Sequence, residues 1–135
     1  MSVLQQVLYY CAIAVKDMEV TRLLLSQGYQ DCQLALAQTQ FLPSEEDRLA
    51  WSLARCHPQA KLLFFAGQLK TLLLGWPLKV AGLIQLEKAA NSMLNYMEPE
   101  ERQRLLSLAR SIAEQSGTDT HDNVHLALSQ VLREL

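Results

Sequence analysis

The sequence predicts an all-α fold: a single-domain bundle of six to seven helices arranged as antiparallel helical hairpins. Apolar residues recur at helical spacing through most of the chain. Helix-start chemistry stands at Ser44, Pro58, Pro99 and Thr120, and glycines stand where apolar runs stop. Half of the 135 residues are hydrophobic and only 19% are charged, enough apolar material for one core without disulfide or metal support. The chain is therefore expected to be one helical domain, 1–135, organised around a central hairpin at 58–97.

The first helix is expected over 2–17, capped by Ser2 and apolar nearly all round, with an end or bend at Lys16-Asp17. A second apolar run at Val20, Leu23, Leu24 and Leu25 stops at Gly28, the residue suited to a left-handed C-terminal cap. Residues 29–40 alternate enough for a strand to be conceivable, but their Ala and Gln favour helix. Ser44-Glu45-Glu46-Asp47 is the clearest helix start. The serine can accept from free amides, and three acids sit where the helix dipole favours negative charge.

That helix carries Leu49, Ala50, Leu53 and Ala54 as its inward stripe and stops before Pro58, which suits a first helical position. The next, about 58–74, has Leu62, Phe65, Ala66, Leu69, Leu72 and Leu73 on one side. A joint at Gly75-Trp76-Pro77 is expected to fold it back on a helix over 77–97, with Val80, Leu83, Ala90, Met93, Leu94 and Met97 inward. Glu98-Pro99-Glu100-Glu101 opens another helix, striped by Leu105, Leu108, Ala109 and Ile112. Thr120 caps the last one, with Val124, Ala127, Leu128, Val131 and Leu135 on one face. Residues 33–38 and 125–130 echo each other, but their separation of 92 residues is not a multiple of the 34-residue tetratricopeptide period, and no family is assigned.

Charge is unevenly placed. From Arg48 to Lys88 six basic residues face one acid, whereas the ends are acidic, for a net charge of −2. That balance, with no recognisable motif among the basic residues, argues against a nucleic-acid partner. Lys61, Lys70 and Lys79 give the central hairpin a positive, amphipathic character, but they are too sparse to favour a membrane-surface reading over a bundle core. No apolar run is long enough to cross a membrane, and no basic residue precedes the one at Val7–Val15. Three cysteines without paired spacing point to free thiols in the cytoplasm, with Cys11 and Cys32 buried.

Catalytic motifs are not evident. His121 and His125 stand at i and i+4, the spacing by which a helix presents two ligands to zinc, with Asp122 beside the first. An aspartate is shorter than the glutamate that acts as base in such motifs, and no third ligand follows at a diagnostic spacing. These histidines therefore remain alternative candidates for a metal-dependent hydrolase, and no metal or other cofactor is assigned. The acids at 45–47 and 98–101 are accounted for by helix capping.

The expectation is a non-enzymatic interaction module: an adaptor, small chaperone or assembly subunit, binding another protein or a second copy of itself. Its candidate partner-binding residues are Arg48, Trp51, Arg55 and Trp76. On a helical wheel Trp51 lies roughly opposite the leucine stripe, with Arg48 and Arg55 on its side, a composition enriched at binding hot spots. The alternative puts Trp51 in the core with the arginines at its rim. Trp76 allows the same two readings. On the first helix, Val3, Val7, Tyr10 and Ala14 are the residues expected to meet a partner helix.

Overall fold

The computed structural model describes residues 1–134, among which seven α-helices and no strand form one bundle. They are α1 (Val3–Ser26), α2 (Gln30–Gln40), α3 (Glu45–Ala54), α4 (Pro58–Val80), α5 (Leu86–Met93), α6 (Pro99–Gln115) and α7 (Thr120–Leu132). Leu135, expected on the apolar face of the last helix, lies outside the described residues.

The centre is α4, which touches every other helix and pairs most extensively with α1. Apolar residues cover most of its circumference, so it buries Phe64, Phe65, Leu69, Leu72, Leu73 and Leu78 in several directions at once. Around it the acidic ends fold over the basic middle of the chain. Asp17 stands 4.0 Å from Lys70, Glu98 2.7 Å from Arg55 and Glu101 2.8 Å from Lys61.

The helix ends follow local chemistry. Ser2 and Gln5 form a reciprocal capping box, and the Ser44 hydroxyl accepts from the Asp47 amide. Gly28, at φ +91°, closes α1: its N–H donates to the Leu25 carbonyl while Tyr29 N–H reaches the Leu24 carbonyl. Asp119, one residue earlier than expected, caps α7 by accepting from the Asp122 amide. Asn123 then ties the preceding loop down, accepting from Gly117 N–H at 2.8 Å and donating to its carbonyl at 3.0 Å.

Two expectations about the long helices are corrected. Lys16-Asp17 neither ends nor divides the first helix; α1 runs on to Ser26, with Thr21 Oγ1 donating back to the Asp17 carbonyl. The Gly75-Trp76-Pro77 joint does not form either. Proline's fixed φ is compatible with a helix, and within the last turns of α4 its missing N–H removes a single bond of the ladder. Gly75 is a notch for packing: a Cβ there would lie 2.7 Å from the Phe41 ring and 2.8 Å from Leu86 Cδ1.

The chain turns instead at Gly82, seven residues after Gly75. Gly82, at φ +75°, donates to the Lys79 carbonyl and Leu83 to the Leu78 carbonyl, a complete Schellman closure. The hairpin over 58–97 is thus a long α4 against the short α5, and Val80, expected inward, is exposed beside the turn.

Among the cysteines, Cys11 is in the core, where burial pushes its thiol up to about 12, whereas Cys32 is exposed, against expectation, as is Cys56. Thiolate is the reactive form. A thiol reagent near neutral pH is therefore expected to label two cysteines quickly in the native protein and the third only after denaturation. Three fast thiols in the native state would contradict the burial of Cys11.

Candidate partner-binding surfaces

Helix α3 is rotated about half a turn from the orientation its leucines suggest. Trp51 is 2% exposed, its ring centroid 5.1 Å from that of Phe64 and 6.3 Å from that of Phe65. An indole buries more apolar area than either leucine, and the two aromatic rings of α4 offer it a matching surface. Its Nε1 donates to Glu98 Oε2 at 3.0 Å. The expected exposed Arg48-Trp51-Arg55 ridge therefore does not exist. Arg48 pairs with Glu45 on its own helix, and Arg55 spans to Glu98 Oε1.

Both Glu98 oxygens are thus engaged. The residue's own backbone N–H, ahead of the Trp51 indole and the charges of Arg55 and Lys61, holds its carboxyl below the usual carboxylate range against the opposing effect of burial. Trp51, Arg55 and Glu98 form a clasp between α3 and the start of α6, a structural role in place of the expected binding role.

Trp76 is also buried rather than projecting. It sits inside α4, with the Lys79 ammonium 4.1 Å from its ring centroid. Together with Leu86, Glu87, Leu106 and Arg110 it borders a cleft of about 110 Å³. That is below the range of roughly 300–1,000 Å³ usual for small-molecule sites. Lys61 and Lys70 meet the acids already named, and the apolar stripe of α4 faces the core, so the three lysines do not border a free apolar face.

His121 and His125 are both exposed, with ring centroids 5.6 Å apart. The donor atoms that converge are those of Asp119, His121 and Asp122, within 4.8 Å of one another. His125 is not a member of that group, and Asp119 already uses one oxygen as the cap of α7. Among the described residues no helix is long and apolar enough to cross a membrane.

The surfaces that do present apolar side chains are two the sequence assigned to the interior or passed over. On α3, Leu49 is 56% and Leu53 71% exposed, a consequence of turning Trp51 inward. Helix α3 seats its backbone on α4 and is tied by Trp51 and Arg55 to Glu98, and its leucines lie on the exposed side away from these contacts. On α1 the expected partner face is core: Val7 and Ala14 are fully buried, Val3 packs partly against them, and Tyr10 stands at the margin. The opposite side of α1 carries Tyr9, Val20 and Leu23, each more than half exposed. Their spacing of 11 and 3 residues, both near whole helical turns, was the available signal. Comparison with protein-family models, curated proteins and solved structures finds no match, so the functional reading rests on these surfaces.

Proposed function

We propose that this protein is a non-enzymatic interaction module, an adaptor or assembly subunit, that docks the amphipathic helix of another protein on the outer side of α3. The observation that carries this reading is the exposure of Leu49 and Leu53, one turn apart on a helix seated on α4. Apolar side chains one turn apart form the stripe along which one amphipathic helix meets another. Glu46 borders the leucines and has no ion-pair partner among the described residues, so the partner helix is one with a lysine or arginine beside its apolar anchors. Cys32 and Cys56, exposed and unpaired, suit a reducing compartment, and the proposed setting is the cytoplasm.

The test is affinity capture from the native host, read by mass spectrometry, with wild type beside Leu53→Asp and Glu46→Lys. Both positions are exposed, so both variants should fold. A near-stoichiometric partner whose capture falls about tenfold or more in each variant supports the reading; tenfold corresponds to about 1.4 kcal/mol of binding. Equal capture by all three proteins would remove α3 as the docking surface.

A further inference from the structure

The outer side of α1 has the features of a seam for a second copy of this chain. Tyr9, Ile13, Lys16, Val20 and Leu23 follow one another at intervals of four, three, four and three, the alternation by which two helices mesh along a shared stripe. All lie away from the core side formed by Val7, Cys11, Ala14, Met18 and Thr21. The stripe spans about 21 Å at 1.5 Å per residue. Its apolar positions stand on both sides of one exposed cation, Lys16.

Two polar groups, Lys16 on this stripe and Glu19 on its flank toward α7, have unused bonding capacity. Among the described residues Lys16 has no carboxylate at ion-pair distance. Glu19 accepts through Oε2 from Thr120 Oγ1 at 2.7 Å, whereas its Oε1, shielded from solvent, has no donor. Lysine and glutamate border the same shallow cleft, about 330 Å³, together with Val20, Leu23 and Thr120. A buried carboxylate oxygen without a donor is costly, and a cation nearby would remove that cost.

We propose that the protein forms a two-fold homodimer by antiparallel pairing of α1, in which Lys16 of each copy reaches Glu19 of the other. An isologous interface requires that if one residue meets a second, the second meets the first, and this pair satisfies that condition. With the axis at the level of Met18, Ile13 faces Leu23 of the second copy and Val20 faces the methylene stem of its Lys16. The ammonium then extends to Glu19, whose carboxylate turns outward to receive it. A parallel pair would instead set Lys16 against Lys16, a like-charge contact in the middle of the seam. This seam is separate from the outer side of α3, so either surface can fail its test without the other.

The experiment is sedimentation equilibrium of the full chain up to about 1 mM, a range that reaches the weak end of specific association. Wild type is expected to approach twice the 15.3 kDa chain mass. Leu23→Asp and Lys16→Glu, both at exposed positions, should each weaken the dimer about tenfold or more. Lys16→Glu combined with Glu19→Lys should restore it, because the exchanged charges again meet across the axis. Circular dichroism checks that the doubly changed protein is folded; should it not fold, Glu19→Gln replaces it and is expected to weaken the dimer as Lys16→Glu does. A wild type that stays at 15.3 kDa throughout overturns the proposal. So does a dimer indifferent to Leu23→Asp and Lys16→Glu, or one that the charge exchange fails to restore in a folded protein.

Discussion

Trp51→Ala is expected to destabilise the protein by about 3–5 kcal/mol, the usual cost of truncating a buried aromatic side chain. That is a large part of the roughly 5–15 kcal/mol by which domains of this kind are stable. The indole fills the space between α3 and the Phe64–Phe65 pair of α4, and its N–H is one of the groups holding Glu98. Removing it opens a cavity and takes away the main side-chain contact of α3 with α4. Leu53→Ala, two positions away on the same helix, should change stability by no more than about 0.5 kcal/mol, because that side chain is 71% exposed. Urea unfolding of the two variants beside wild type reads the contrast directly. A Trp51→Ala protein with the wild-type midpoint, or a Leu53→Ala protein that loses several kcal/mol, would reverse the orientation of α3. Trp51→Phe should fall between them, since it keeps a ring against the aromatic pair and takes away the donor to Glu98.

The second large effect is expected at the centre of α4. Leu69 is fully buried, on the helix that every other helix touches. Leu69→Ala should cost about 2–5 kcal/mol through lost apolar burial and the cavity left behind. The denaturant dependence should keep its slope while the midpoint falls, because a bundle organised around one helix unfolds as one unit. Val80→Ala, near the end of the same helix and exposed, is the matched control and should stay within about 0.5 kcal/mol. A biphasic transition in Leu69→Ala would show that part of the bundle folds independently of α4.

How legible each feature was in the sequence depended on how far away its cause lay. The cap at Ser44, the first-turn prolines Pro58 and Pro99, and the closure at Gly28 could be read directly, because each acts on groups within one helical turn. Gly75 carries the same local sign of a helix end but lies inside α4. Its reason for being glycine is the Phe41 ring, which comes from the end of α2. Cys32 stands within an apolar run that suggests burial, but it lies on an exposed side of α2.

The candidate site was less legible than the fold. On α3 the sequence offers two apolar sides, Leu49 with Leu53 or Trp51 with Ala54, and helical spacing does not rank them. The choice was made by the aromatic pair on α4, which gives a large ring more contact than it gives leucine. That choice moved the arginines into intramolecular ion pairs and the leucines to the surface. On α1 the apolar residues surround the helix, so the core could have taken either side; it took Val7, Cys11, Ala14 and Met18 and left Tyr9, Val20 and Leu23 outside.

By itself, then, the sequence determined that the protein is helical and where most of its helices begin, because capping hydrogen bonds and proline geometry are settled within a few residues. Only the tertiary structure decided which side of each helix is interior, and hence which residues are available to a partner. Burial belongs to two packed surfaces at once, and a chain whose helices are apolar on more than one side does not specify the second surface until the first has been placed against it.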